Sequence, residues 1–224
     1  MTGVNRRGRT RTRHAGPHAP VDRTSAGICL LPSCRYAQAG LVALAQGRVV
    51  HIADDETGIM PRPPRPFSQV ICHFSEDIAG QLRQVALLGH LLQVYGSALP
   101  VTLLVRERMP WLYGTLLHLT GQAAGLQGVW ALDARTPVAG LAALMQGVRP
   151  AAATPLSGRE SYTLATGLTR RELEVVTAVL TGERMREMAL RTGLSPSVLY
   201  AQRHHGLRKL GAGKRLPDRK KETR

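Results

Sequence analysis

The sequence lacks long apolar runs and is poor in cysteine. No segment reaches the roughly 18 consecutive apolar residues that a membrane-spanning helix needs, so we expect no membrane insertion. The charged N-terminus is not followed by an apolar segment, which argues against a secretory signal. Cys29, Cys34 and Cys72 are odd in number and lack metal-site spacing. We therefore expect them to be small buried side chains of a cytoplasmic protein.

Motifs for catalysis and for cofactor binding are also missing. Residues 211–214 read Gly-Ala-Gly-Lys, but a phosphate-binding loop needs an earlier glycine, a Ser or Thr after the lysine and a preceding strand. His204 and His205 are adjacent, so they point in different directions and make a poor metal pair. No Ser-His-Asp arrangement stands out. We expect no catalytic residue, no metal and no cofactor, and we do not expect an enzyme.

Acidic residues are scarce, with 15 Asp and Glu against 30 Lys and Arg and a net charge of +15. The net charge is +5 in residues 1–27, +3 in residues 28–159 and +7 in residues 160–224. Basic ends of this kind attract polyanions such as DNA. A GC-rich genome that favours arginine codons is an alternative explanation for the first of these segments.

Residues 168–215 contain start and stop signals for three short helices. A capping box, a glycine stop, a turn glycine and a Ser-Pro start follow one another at helical spacing. They are Thr169 with Glu172, Gly182, Gly193, and Ser195 with Pro196. Two helices joined by a tight turn are typical of a helix-turn-helix, whose second helix lies in the major groove of DNA.

The predicted third helix has two different faces. Its inward positions repeat every three or four residues and are Leu199, Gln202, Gly206 and Leu210. Its outward positions are Ser197, Tyr200, Ala201, His204 and Arg208. A solvated basic face on an ordinary three-helix bundle is the alternative interpretation. The agreement of caps, turn and outward face favours DNA binding.

These residues resemble the LuxR/GerE-type helix-turn-helix. The matching pieces are Leu168-Thr169-x-Arg171-Glu172, Glu187-x-Ala189, Gly193-x-Ser195, and Lys209-Leu210-Gly211 followed by Arg215. They agree over one ungapped stretch. The resemblance implies a bacterial transcription regulator with its third helix in the major groove. Base contacts are then expected from Ser197, Tyr200, Ala201 and His204. Phosphate contacts are expected from Arg170, Arg171, Ser195, Arg203, Arg208, Lys209, Lys214 and Arg215.

The chain departs from this family at three places. Tyr200 replaces a lysine, which changes the bases we expect it to prefer. Gly206 replaces an aliphatic residue, so we expect a cost of about 1 kcal/mol and a packing defect. The tail after Leu216 is too polar for the apolar fourth helix that the family uses for dimerisation.

Residues 27–149 alternate apolar runs with helical patterns. Strands are predicted at residues 28–31, 48–52, 69–73, 100–105 and 128–132, and helices at 37–45, 78–95, 110–119 and 138–145. This order predicts an α/β fold with a parallel sheet covered on both faces. With the opening pattern of residues 28–44, it resembles a response-regulator receiver, which is flavodoxin-like. The prolines of residues 61–66 would break the second helix of such a domain.

The resemblance to a receiver implies a phosphorylation site whose residues the chain does not supply. A receiver needs acidic residues after its first strand, Asp after the third, Ser or Thr after the fourth and Lys after the fifth, to stabilise the transferring group. The residues at those places are Ser33-Cys34, His73-Phe74, Arg106 and Asp133. Glu76 and Asp77 are assigned to the start of the following helix. We therefore expect a receiver-like domain that is not phosphorylated in the usual way.

The sequence predicts five segments: a basic arm at 1–26, the receiver-like domain at 27–149, a linker at 150–166, the DNA-binding domain at 167–216 and a basic tail at 217–224. The arm either contacts DNA phosphates or lies upstream of the true start. The expected function is sequence-specific, phosphorylation-independent transcription regulation. Expected partners are double-stranded DNA, a second copy or a related regulator in a dimer, and RNA polymerase.

Two alternative functions stay open. The chain could be an interaction module that sequesters another regulator without binding DNA. It could also sense a small molecule in a pocket near Trp111. Trp111 and Tyr113 are two residues apart and do not face each other on a helix, which favours core or interface packing.

Overall fold

The computed structural model describes residues 27–53, 67–158 and 167–211. The first two ranges form a sheet unit, and the third forms a helical unit. The predicted arm at 1–26, the proline-rich interval 54–66 and the tail at 217–224 lie outside the described residues. Among the helices of the described ranges, none is long and apolar enough to cross a membrane.

Five parallel strands form the sheet in the order β2-β1-β3-β4-β5. They are β1 (Ile28–Leu30), β2 (Val50–Ile52), β3 (Gln69–His73), β4 (Val101–Val105) and β5 (Val129–Asp133). All residues of β1 and β4 are buried because both faces of the sheet are covered, so these strands are continuous apolar runs. The order is that of a flavodoxin-like sheet, which confirms the predicted α/β fold class.

Four helices cover the sheet. They are α1 (Arg35–Leu44), α2 (Ile78–Tyr95), α3 (Leu112–Thr120) and α4 (Val138–Met145). Helices α2 and α3 pack on the face that holds Cys29, and α1 and α4 pack on the face that holds Ile28 and Leu30. Helix α2 begins after Asp77, whose Oδ1 accepts a hydrogen bond from the Gly80 amide at 2.6 Å. That bond lowers the pKa of Asp77, and it confirms that this acid belongs to the helix start.

The predicted linker, residues 150–166, packs on the sheet at residues 153–156, and its residues 159–166 lie outside the described residues. Residues Thr154–Pro155 form a short strand, β6, that pairs antiparallel with β5. Ala153 and Leu156 on either side are buried. The prediction of a linker was wrong here. Small residues and prolines suggested a linker, but the edge of the sheet buries the two apolar residues among them.

The helical unit contains α5 (Arg170–Leu180), α6 (Met185–Thr192) and α7 (Pro196–Lys209). The predicted capping box is present: Thr169 Oγ1 accepts from the Glu172 amide at 3.2 Å, and Glu172 Oε2 accepts from the Thr169 amide at 2.8 Å. Gly193 ends α6 in the left-handed conformation with φ of 69°. Ser195 Oγ caps α7 by accepting from the Val198 amide at 3.4 Å. Gly182 follows the C-cap of α5 with a φ of 95°, so all four predicted start and stop signals are present.

The two units share one apolar core, which the sequence patterns did not predict. Leu168, Leu173 and Val176 of the helical unit are buried in the same cluster as the side chains of α2 and α3. The buried Leu168 amide donates to Thr115 Oγ1 at 2.9 Å. A Cβ on Gly167 would lie 2.1 Å from the carbonyl carbon of Gly114, so this approach of two backbones requires glycine.

Gly206 lies at a close helix crossing and leaves no packing defect. It is buried, and a Cβ there would lie 2.5 Å from Val176 Cγ2 on α5 and 3.5 Å from Glu172 Cβ. The space that an aliphatic side chain would fill is occupied by α5 itself. The expected packing defect is therefore wrong, because the sequence of one helix does not reveal how closely another helix approaches it.

Gly206→Ala should lower the free energy of unfolding, because displacing the stiff Val176 side chain costs about 1–3 kcal/mol, which exceeds the gain of about 0.5–1 kcal/mol from replacing a helical glycine. Gly40→Ala is the matched control, since nothing lies within 4 Å of a Cβ at that position in α1. It should stabilise the fold by about 0.5–1 kcal/mol. Denaturant titration measures both variants. A more stable Gly206→Ala protein would contradict the close crossing.

Candidate nucleic-acid interface

The rotation of α7 about its axis is fixed by its buried residues. Leu199 is fully buried in a small cluster with Val175, Ala178 and Met188 of α5 and α6. Since an α-helix has 3.6 residues per turn, burying Leu199 and Gly206 turns the opposite positions outward. Those exposed positions are Ser197, Tyr200, Ala201, His204 and Arg208. The structure therefore brings the four predicted base-contacting residues together on one face, where Tyr200 is 53% exposed.

The helix α7 is basic, and its exposed face lacks carboxylates. The helix contains Arg203, Arg208 and Lys209 but neither Asp nor Glu. Arg208 is exposed and Arg203 is half-buried. In the part of the chain that the structure describes, neither arginine forms an ion pair. Two uncompensated guanidinium groups on an exposed helix suit contact with a phosphate backbone.

Lys209 differs from these arginines because it binds a group of the protein itself. Its Nζ lies 2.7 Å from Glu172 Oε2 and 2.9 Å from the carbonyl oxygen of Gly167. The Lys209 and Glu172 side chains are only 19% and 6% exposed. A phosphate could take this ammonium only by breaking the pair, so the predicted phosphate contact does not fit this arrangement. Lys209 instead joins the end of α7 to the start of α5.

The electrostatics of Glu172 follow from the same contacts. Burial on its own would raise the pKa of this carboxyl group. The hydrogen bonds from Lys209 Nζ and from the Thr169 amide outweigh that effect and hold the pKa of Glu172 below its ordinary value. Glu172 is therefore charged near neutral pH in spite of its burial, and its charge is balanced by Lys209.

The other predicted phosphate contacts lie in several places. Arg170 and Arg171 are exposed at the start of α5, where Arg171 lies 2.8 Å from Glu174. Exposed ion pairs of this kind are weak, so Arg171 can exchange its partner for a phosphate. Ser195 is exposed at the N-terminus of α7, where backbone N–H groups favour anions. Lys214 and Arg215 lie outside the described residues.

A cavity of about 830 Å³ lies at the carboxyl edge of β3, β4 and β5, where a receiver would have its phosphorylation site. His73, Phe74 and Arg106 line it, and Leu210, just after α7, also contributes to its wall. Burial lowers the pKa of His73. Its Nδ1 has no hydrogen-bond partner among the described residues.

The carboxylates near this edge have other partners. Glu76 pairs with Arg106 at the surface. Asp133 is exposed, and its Oδ1 accepts from the Arg135 amide at 2.8 Å. At the first receiver position, Cys34 caps α1 with its Sγ. Over residues 27–53, 67–158 and 167–211, no group of three or more His, Cys, Asp or Glu side chains could hold a metal ion.

Trp111 and Tyr113 differ in their surroundings. Trp111 is buried in the shared core and also lines the cavity at the strand edge. Tyr113 is half-buried and packs against the same core. The expected core packing of these aromatics is confirmed, although one side of Trp111 borders a cavity.

The cysteines follow the sequence prediction in part. Cys29 and Cys72 are buried. Burial raises the pKa of both thiols, that of Cys29 to about 12. Cys34 is exposed at the start of α1, so the expectation of burial is wrong there. Cys34 is the N-cap of α1, a role that the sequence pattern did not predict.

No protein-family model matches the chain, and no curated protein matches it significantly. Similar solved structures include RcsB from Salmonella enterica serovar Typhimurium bound to the promoter rprA, at 17% identity over 83% of this chain and 92% of that chain, with a TM-score of 0.48. Full-length FixJ from B. japonicum is similar at 16% identity over 84% of this chain and 91% of that chain, with a TM-score of 0.38. The fold class follows from the strand order of the chain itself.

Lys209→Met should lower the free energy of unfolding by about 2–3 kcal/mol, because it leaves the buried Glu172 carboxylate without its partner. Arg208→Met, at the exposed neighbouring position, is the matched control and should change it by less than about 0.5 kcal/mol. Denaturant titration at neutral pH measures both. Equal stability of the two variants would contradict a structural role for Lys209.

The decrease in the free energy of unfolding at acid pH tests the same pair. Because the pKa of Glu172 is lower in the folded chain than in the unfolded chain, its contribution is complete above about pH 5 and is lost as the pH falls below about 4. Glu172→Gln removes this titration while keeping an acceptor for the Thr169 amide. The variant should lose less stability than the wild type over that range.

Proposed function

We propose that this chain is a sequence-specific, DNA-binding transcription regulator that places the N-terminal half of α7 in the major groove. The observation that supports this most is the exposed, carboxylate-free face of α7, whose orientation is fixed by Leu199 and Gly206. A helix of this kind, preceded by a tight turn, has the size and charge that the major groove accepts.

We assign two kinds of contact to the exposed residues. Ser197, Tyr200, Ala201 and His204 read base edges, since they lie on the outward face near the start of α7. The phosphate contacts are Arg170, Arg171, Ser195, Arg203 and Arg208, together with Lys214 and Arg215. Lys209 is removed from this set because of its pair with Glu172. In this proposal the helical unit is the DNA-binding domain and the sheet unit is the receiver-like domain.

We also propose that regulation does not need phosphorylation. The support is the set of side chains at the carboxyl edge of the sheet, where His73, Phe74 and Arg106 occupy places that need an acceptor carboxylate and a hydroxyl. The sheet unit then acts through contacts with the helical unit and with a partner. That partner is a second copy or a related regulator, and RNA polymerase is a further candidate.

The exposed face of α7 supports the two alternative functions less well than it supports DNA binding. A module that only sequesters another regulator has no need for a basic helix face kept free of carboxylates. A sensor with its ligand beside Trp111 is consistent with the cavity at the strand edge, but the exposed face of α7 is independent of that cavity. We therefore give DNA binding precedence.

Substitutions on α7 separate base reading from phosphate contact. Tyr200→Ala and His204→Ala should change which sequences are enriched from a random duplex pool, because each removes groups that reach base edges. Arg208→Ala should weaken all duplexes alike, by about three- to tenfold at moderate salt, since it removes one phosphate contact. Affinity for enriched and unrelated duplexes is measured by fluorescence anisotropy.

Arg35→Ala is the matched control, because Arg35 is an exposed arginine at the start of α1 in the sheet unit. It should bind every duplex as the wild type does. If Tyr200→Ala, His204→Ala and Arg208→Ala all lowered the affinity for every duplex by the same factor, the assigned roles would be refuted. Equal weakening by Arg35→Ala would show that only total charge matters.

A further inference from the structure

The outer face of α1 and α4 carries almost no charge. In these two helices, Arg35 at the start of α1 is the single Lys, Arg, Asp or Glu residue. The large exposed side chains are Tyr36 and Val42 of α1 and Val138 of α4. The small exposed residues are Ala39, Gly40 and Ala43 of α1 and Ala139 of α4. We call these seven residues the uncharged face. A surface helix usually turns charged side chains to the water, so such a face is unusual where nothing covers it.

The other side of the sheet shows how helices of this composition are used in the same chain. Helices α2 and α3 also contain a single Lys, Arg, Asp or Glu residue, Arg83, and the helical unit packs against both helices. The core beneath α1 and α4 contains residues of the sheet unit alone. Within residues 27–53, 67–158 and 167–211, the uncharged face therefore has the composition of a covered surface but is exposed.

The segments outside the described ranges match this face poorly. Val, Ile, Leu, Met and aromatic residues number three in residues 1–26, two in residues 54–66 and one in residues 212–224. Each of these segments also holds at least five charged residues. Residues 159–166 lead to Gly167, which packs on Gly114 of α3 at the opposite side of the sheet. The composition and position of these segments point to another molecule as the cover.

A second copy of the chain matches the uncharged face in charge and in shape. A net charge of +15 makes two copies repel each other, and an approach across a face without charges brings the fewest like charges together. A two-fold interface uses the same patch on both copies, so an uncharged patch is compatible with itself. Nothing lies within 4 Å of a Cβ on Gly40, one helical turn from Tyr36. A two-fold axis between these two residues would place each tyrosine ring in the open space above the other copy's glycine.

The size of the face suits a weak dimer. Helices of this length extend for about 12–15 Å, and packed helices lie about 8–10 Å apart, so the two together measure roughly 15 by 20 Å. With side-chain relief, a dimer would bury about 1,000 Å² in total, which is at the low end for specific interfaces. We therefore expect a dissociation constant of roughly 10–100 µM.

We propose that α1 and α4 form a two-fold interface with a second copy of this chain. The choice of a second copy rests on the proposed function, because a regulator that reads two half-sites of DNA needs two helix-turn-helix units. The polar tail after Leu216 is a poor dimerisation helix, so another surface must join them. The helical unit packs on the opposite side of the sheet. Both copies therefore keep the exposed face of α7 free for DNA.

Sedimentation equilibrium of the full chain without DNA tests the interface. The wild type should pass from monomer to dimer between about 5 and 500 µM. Ala39→Glu and Ala139→Glu each place a carboxylate on the uncharged face, one on each helix, at positions that are exposed in the single chain. Each should raise the dissociation constant at least about tenfold, because the carboxylate would lose its water in the dimer.

Val94→Glu is the matched control, because Val94 is an exposed apolar residue of α2, away from the uncharged face. It should dimerise within about twofold of the wild type. Photo-cross-linking gives a second readout that does not depend on an added charge. A benzoylphenylalanine in place of Tyr36 should yield a covalent dimer, and one in place of Val94 should not.

A wild-type chain that stays monomeric up to about 500 µM would overturn the proposal, since covering this face would then need a different partner. Dimerisation that both glutamate variants leave unchanged, or that Val94→Glu weakens equally, would also overturn it. Thermal unfolding shows whether each variant is folded, and the cross-link at position 36 decides the matter if a glutamate variant is not. Because the experiment contains no DNA, its failure leaves the DNA-binding proposal intact. A chain that dimerises but binds no duplex would in turn fail only the DNA-binding proposal.

Discussion

The carboxylate of Glu172 holds three parts of the molecule in one arrangement. It accepts hydrogen bonds from the Thr169 amide at the start of α5 and from the Lys209 ammonium at the end of α7. The same ammonium donates a hydrogen bond to the carbonyl oxygen of Gly167. Gly167 packs on Gly114 of the sheet unit. A buried carboxylate without these donors would be costly, so the loss of either donor destabilises the arrangement. Helix capping, the crossing of α5 and α7 and the docking of the two units are thus linked through one side chain.

The consequence for function is geometric. With its end held by Glu172 and its middle against α5 at Gly206, α7 has one orientation in which Leu199 is buried. Tyr200 and His204 are then exposed to solvent. Leu210, just beyond α7, packs against the shared core and borders the cavity at the strand edge. The end of the helix proposed to read DNA therefore lies beside the carboxyl edge of the sheet.

The sequence predicted what depends on local pattern. The Thr169–Glu172 capping box, the turn at Gly193 and the start at Ser195 were readable because caps and turns use neighbouring residues. The parallel sheet was readable from buried apolar runs such as β4. The Lys209–Glu172 pair, the role of Gly206 and the shared core were not, because each joins residues about 30 or more positions apart or in different units. From the sequence alone, Lys209 is an ordinary basic residue at the end of a helix, and only the position of α5 reveals its pair with Glu172.

The most direct test of the account is photo-cross-linking from α7 to DNA. A benzoylphenylalanine in place of Tyr200, on the proposed reading face, is compared with one in place of Tyr36, which is 91% exposed on α1 of the sheet unit. With duplexes enriched by the protein from a random pool, the account predicts cross-links to bases from position 200 and none from position 36. Cross-linking from position 36 but not from position 200, or from neither, would contradict it.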